Sequence, residues 1–119
     1  MTLINTVMGM AIDPATRRYR LANGGGGLSG AAIHPVAVKA VHDVRAARPD
    51  VPVVGVGGVV DGATAAELLV AGASAVEVGT ATFADPRAPA TVLDDLEAWC
   101  RRQRVGAVRE LIGAIHAEH

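Results

Sequence analysis

The sequence predicts an α/β fold in which three short parallel strands are each followed by helical chain. Three observations carry that expectation. Apolar runs of strand length begin at Leu3, Pro52 and Ser74, a glycine-bearing turn lies beyond each, and apolar residues at helical spacing come next. Parallel neighbours need a crossover between them, and a helix is the usual one.

In the first unit, Leu3 to Met8 reads as an apolar strand interrupted by Asn5 and Thr6, two polar side chains where strand should yield to loop. Asp13 to Gly30 reads as a turn-rich excursion with Pro14, three arginines and a glycine run, longer than the usual strand-to-helix link. Loops of that length commonly carry function. Its final part, from Gly24 toward Pro35, is expected to be a glycine-dense turn that brings bare backbone to a helix start, where a phosphate can be approached closely. Pro35 suits the first turn of a helix, and Val36, Val38, Ala40, Val41 and Val44 give it an apolar face as far as Ala47.

The second unit has a buried-type strand from Pro52 to Val56 and the turn Gly55 to Gly58. A helix then begins at Asp61 or Gly62, presents Ala65, Leu68, Leu69 and Val70, and stops at Gly72. In the third unit Ser74 to Val78 is the strand and Val78 to Thr80 the turn. After Asp85 and Pro86, amphipathic helices are expected over Val92 to Arg102 and Val105 to Ala117. No linker or repeat divides the chain, so residues 1–119 are expected to form one unit.

Composition narrows the functions. The chain has 119 residues, 50% hydrophobic and 19% charged, which is the balance of a globular protein. A formal net charge of −1 and an aromatic share of 3% give neither the basic surface nor the stacking platforms of a nucleic-acid binder. No apolar run reaches the roughly 20 residues of a membrane-spanning helix, and no secretory leader is visible, so a cytoplasmic protein without membrane contact is expected. Cys100 is the only cysteine, which rules out an internal disulfide, and it falls on a late amphipathic stretch where a packed thiol is expected. His34 and His42 share no clear helical face, while His116 and His119 lie near a terminus expected to fray. No metal site is expected from them. Arg101, Arg102 and Arg104 stand beside Asp94, Asp95 and Glu97 and read as an ion-paired helix surface.

Size poses a question, because a closed barrel of eight βα units takes about 250 residues. Three units form either a small open sheet or the last part of such a barrel. Glu77 bears on the choice. In a barrel strand Val76 and Val78 would pack outward on helices, while Glu77 would point inward with Ala75, where a carboxylate needs a partner. The other strands of this chain offer few partners, which favours the partial barrel; an open sheet would instead leave Glu77 in water.

Four ordered blocks carry a family resemblance: NTVMGMAID from Asn5 to Asp13, GGLSG from Gly26 to Gly30 followed by Ile33 and Pro35, VGVGG from Val54 to Gly58, and AGASAVEVGTA from Ala71 to Ala81. With the closing Glu110 to Gly113, the chain resembles the C-terminal part of a dihydroorotate dehydrogenase of class 1, particularly the NAD-linked type 1B. The resemblance spans essentially all 119 residues. It implies the last part of a TIM (β/α)8 barrel, about three βα units plus C-terminal helices. It also implies FMN as cofactor and oxidation of dihydroorotate to orotate in pyrimidine synthesis.

Residue by residue, the resemblance implies that Asn5 and Thr6 bind orotate, that Ile4 lines the flavin, and that Gly30 contacts FMN through its backbone. Gly57 and Gly58, with Gly79 and Thr80, match the two turns that hold the FMN phosphate. Barrel phosphate sites are commonly built from the loops after the last two strands, in agreement with that placement. No residue here is assigned as catalytic, because the family's base and its flavin-contacting lysine precede the matched part. Lys39, the only lysine, and Cys100 are misplaced for those roles. The sequence also departs from the family's Gly-Pro-Ala-Ile-Lys-Pro, reading Gly30-Ala-Ala-Ile-His-Pro35 after four consecutive glycines. Type 1B enzymes recruit a second subunit with FAD and an iron–sulfur cluster, so the resemblance implies that partner. A homo-oligomer is a separate open expectation that the resemblance does not fix. Two rival readings stand beside this one: a non-catalytic half-barrel whose exposed strand edges require another chain, and a different phosphate-binding barrel oxidoreductase.

Overall fold

The structure, a computed structural model, describes residues 1–117. In chain order its strands and α-helices are β1 (Thr2–Leu3), β2 (Val7–Met10), β3 (Ile12–Asp13), β4 (Arg18–Tyr19), β5 (Gly25–Leu28), α1 (His34–Ala47), β6 (Val54–Val56), α2 (Gly62–Ala71), β7 (Ala75–Glu77), α3 (Ala81–Ala84) and α4 (Ala88–Arg102). The central sheet has the order β1-β6-β7 and is parallel throughout, with Thr2 opposite Val54 and Val54 opposite Ala75. The Leu3–Ile4 peptide is cis.

Helices cover one face of this sheet. Ala37 and Val41 of α1, Ala65 and Leu68 of α2, Val92 of α4, and Val53, Val59 and Ala73 of the connecting chain form the main core. Leu68 is fully buried, and removing such a side chain from water contributes about 1.5–3 kcal/mol. The helix lies so close that a Cβ on Gly55 would stand 3.1 Å from Ala73 Cβ and 3.3 Å from Leu68. Val76 and Val78 pack toward the core, whereas Ala75 and Glu77 are exposed on the opposite face. That is the alternation expected from the sequence, with the carboxylate on an uncovered side of the sheet.

Local chemistry explains the helix ends. Asp61 caps α2 by accepting from the Thr64 amide at 2.8 Å, while the Thr64 hydroxyl accepts from the Asp61 amide at 3.1 Å. Gly72, at φ +131°, closes the helix. A Cβ on Gly62 would meet the Asp95 backbone of α4 at 2.5 Å, and the Gly62 amide donates to Asp95 Oδ2 at 2.7 Å. Asp95 thus belongs to the packing of α4 on α2, not only to a solvated surface. Arg101 does pair with Glu97 one turn away. Cys100 is half-buried and packs against the second core cluster of Ala66, Leu69 and Leu111.

Three expectations are corrected. Leu3 to Met8 is not one strand, for β1 ends at Leu3 and β2 begins at Val7. The excursion from Asp13 to Gly30 is not a loop: β2 pairs antiparallel with β5 and β3 with β4, making a ribbon from Val7 to Leu28. Its glycines Gly25 to Gly27 lie in strand β5, so of the glycine-dense stretch only Gly30 turns toward a helix. The reason is close pairing. A Cβ on Gly27 would stand 2.6 Å from Thr6 Cβ, and one on Gly26 would stand 2.9 Å from Leu21 Cδ1. The third correction concerns Val105 to Ala117, which forms two short 3-10 turns, Val108–Glu110 and Ala114–His116, with Gly113 between them at φ +70°. A left-handed residue there reverses the chain, and the Gly113 amide ties it to Leu69 O at 2.9 Å. His116 is held in place, donating from Nε2 to Ala71 O at 2.9 Å and stacking on His42 at 4.6 Å. His119 lies outside the described residues.

Candidate functional site

The carboxyl ends of β1, β6 and β7 open onto one cavity of about 170 Å³. Its wall comprises Ile4, Asn5 and Thr6 after β1, Ser29 and Gly30 before α1, Val56 at the end of β6 with Gly57 to Val60 after it, and Gly79 to Ala81 after β7. All eight residues singled out in the sequence, Ile4, Asn5, Thr6, Gly30, Gly57, Gly58, Gly79 and Thr80, stand around this one space. Ligands of open and closed parallel α/β sheets bind at this end of the strands.

The glycines differ in why they are glycine. Gly57 and Gly58 have φ of +136° and +66°, and their added Cβ atoms would stand 2.7 Å from Ala37 Cβ and His34 Cβ respectively. Their turn rests directly on the first turns of α1. Gly30, at φ +86°, faces Thr80, whose Cγ2 would be 3.7 Å from an added Cβ. Gly79 has no such internal cause: nothing lies within 4 Å of its Cβ position and its φ is not left-handed. Among the described residues the amides of Gly58, Gly79 and Thr80 donate to no protein acceptor. Backbone donors without partners at turns of this kind suit an anion.

The polar pair is arranged by its neighbours. The Thr6 amide donates to Asn5 Oδ1 at 2.8 Å, and Gly27 of β5 leaves room for the Thr6 side chain. Ile4 packs on the main core below while reaching the cavity wall above. Sequence reasoning did not single out Ser29, Val59 or Val60 for the wall, nor His34 behind it. The hydrophobic pattern gave no sign of them, because they lie on turns and on the first turn of a helix.

The sequence profile of the family described as "Dihydroorotate dehydrogenase" matches residues 1–99. The chain belongs to the dihydroorotate dehydrogenase family. It is 49% identical over 97% of its length to the NAD(+)-type dihydroorotate dehydrogenase B catalytic subunit of Geotalea uraniireducens. It is also 49% identical over 97% of its length to a Solibacter usitatus protein described provisionally as the A (fumarate) type. The chain spans 37% and 38% of the length of these two relatives. The crystal structure of dihydroorotate dehydrogenase from Eimeria tenella in complex with ferulenol superposes with a TM-score of 0.81. That match has 28% identity and covers 98% of this chain and 31% of the other. The fold is accordingly part of this family's βα barrel, and the parallel sheet of β1, β6 and β7 supplies three of its strands. Among the described residues no helix is long and apolar enough to cross a membrane.

Proposed function

We propose that this chain carries the FMN-phosphate grip and part of the orotate site of a cytoplasmic dihydroorotate dehydrogenase acting in pyrimidine biosynthesis. The observation that carries the reading is the convergence of Gly30, Gly57, Gly58, Gly79 and Thr80 on one cavity at the carboxyl ends of three parallel strands. The donor set fits a phosphate monoester. Among the described residues the amides of Gly58, Gly79 and Thr80 lack protein acceptors, Gly79 lines the cavity with open space at its Cβ position, and the Thr80 hydroxyl would add a further donor.

FMN, when bound, supplies the two-electron acceptor for conversion of dihydroorotate to orotate. The chain's own residues bind and orient. Gly57, Gly58, Gly79 and Thr80, which line the cavity, would hold the phosphate, Gly30 and Ile4 would border the flavin, and Asn5 and Thr6 would hydrogen-bond the pyrimidine. The cavity of about 170 Å³ accommodates the phosphate end of the nucleotide, with the remaining walls belonging to the rest of the barrel. The B-type relatives are named as NAD(+)-type catalytic subunits, which supports a second subunit; that this subunit carries FAD and an iron–sulfur cluster and passes electrons to NAD is part of the proposal.

A second reading is favoured by the uncovered sheet. β1 and β7 are both edges, and the exposed Ala75 and Glu77 lie on an open face, so another chain or a second copy would complete the barrel. Flavin titration followed by fluorescence tests the proposal. FMN should bind the 119-residue chain at least tenfold more tightly than riboflavin, which lacks the phosphate. Equal affinity for the two would overturn the phosphate assignment, and orotate formation by the chain alone would overturn the second reading.

A further inference from the structure

His34 is the only buried polar side chain among the described residues, and the cavity wall rests on it. It begins α1 and makes two contacts through its ring. Nδ1 lies 2.7 Å from the carbonyl oxygen of Gly57, and Nε2 lies 3.0 Å from Glu67 Oε2 on α2. A carbonyl oxygen only accepts, so Nδ1 carries its hydrogen and donates. The ring is enclosed while Glu67 is 57% exposed, so the inner bond is the one shielded from water. A Cβ on Gly58 would also stand only 2.7 Å from His34 Cβ, so the turn packs directly on this residue.

We propose that His34 is a positioning residue for the phosphate grip: its Nδ1 fixes the Gly57 carbonyl toward α1 and thereby sets the Gly57–Gly58 turn, while Glu67 only steadies the ring. A peptide unit is planar, so fixing the Gly57 carbonyl fixes the orientation of the Gly58 amide attached to the same carbon. That amide is one of the donors left without a protein partner at the cavity. The inference rests on the phosphate assignment above and goes beyond it, naming a residue outside the wall that governs its geometry.

Two substitutions separate the ring's two edges. Asn places its amide nitrogen near the Nδ1 position and Gln near the Nε2 position, so His34→Asn keeps the donor to Gly57 and His34→Gln keeps the one to Glu67. FMN and riboflavin affinities are measured on the 119-residue chain, with circular dichroism on each variant. The expected result is that H34Q weakens FMN about tenfold and riboflavin hardly at all, whereas H34N and Glu67→Gln stay within about twofold of the parent. Equal weakening of FMN by H34N and H34Q, or equal weakening of both ligands by H34Q, would overturn the proposal. A ring readout stands apart from ligand binding. In long-range ¹H–¹⁵N spectra of the unsubstituted chain the His34 Nδ1 should carry a proton, and an unprotonated Nδ1 overturns the clamp even if FMN binds. Failure of FMN to bind the unsubstituted chain, with Nδ1 protonated, refutes the phosphate assignment and with it the positioning role.

Discussion

Replacing Gly27 with Ala tests how the ribbon arranges the polar pair at the cavity. Gly27 pairs with Met8 in the β2–β5 ladder, and its added Cβ would stand 2.6 Å from Thr6 Cβ and closer still to Thr6 Oγ1. Rotation of the Thr6 side chain moves Oγ1 but leaves Cβ where the backbone puts it. The separation is about 0.8 Å short of an ordinary 3.4 Å contact, so backbone must shift at Thr6 or the ladder must open. Overpacking that forces such a shift costs about 1–3 kcal/mol. At roughly 4 °C per kcal/mol for a chain of this size, the melting temperature should fall by roughly 4–12 °C. Because the shift falls on Thr6, orotate affinity measured by isothermal titration with FMN present should drop about tenfold, whereas FMN affinity should stay within about twofold. Unchanged melting together with unchanged orotate affinity would refute the steric argument. Loss of FMN and orotate binding in equal measure would instead show that Gly27 serves the whole cavity and not Thr6.

Gly58→Ala places a side chain at φ +66° with the Gly30 carbonyl oxygen 2.8 Å from its Cβ, so denaturant unfolding should show a loss of about 2–4 kcal/mol. Gly79→Ala meets nothing in the protein and should leave stability within about 0.5 kcal/mol of the parent, yet on the proposed phosphate assignment it should weaken FMN severalfold in the same flavin titration. Leu68→Ala empties a fully buried site and should cost about 3 kcal/mol by urea denaturation. Asp61→Ala removes the α2 cap and should cost about 1 kcal/mol near neutral pH. The Asp61 carboxyl is held below its ordinary range, first by the Thr64 amide. Its contribution is fully present above the unfolded-chain value of about 3.9 and disappears as pH falls through the lower folded value. The two proteins should converge in stability in acid.

How much was legible in the sequence depended on whether the signal was local. Helix α2 was readable at both ends because Asp61 and Gly72 act through their own neighbours. The second and third strands of the parallel sheet were readable from short apolar runs, each slightly shorter than its run, whereas β1 shares only Leu3 with the run expected over Leu3 to Met8. The ribbon was not readable. Gly25, Gly26 and Gly27 have no intrinsic preference for strand and are held there by β2, a partner 15 or more residues earlier in the chain. The last helix failed for a different reason: the apolar spacing from Val105 onward is helical, but Gly106 and a left-handed Gly113 let the chain fold back on α2. At the candidate site, the residues that gather at the cavity were foreseeable because each follows a strand or precedes a helix. The neighbours that shape it, Gly27 beneath Thr6 and His34 beneath Gly57, act across distances that no short motif records.

The ribbon leaves the body at Asn5 and Thr6 and returns at Ser29 and Gly30, and those four residues are also cavity wall. Any swing of the arm has to be absorbed at its root, which here is the same few peptide units that line the cavity. A grasp on the far tip, around Asp13 to Arg18, would be felt at the cavity as by a lever at its fulcrum.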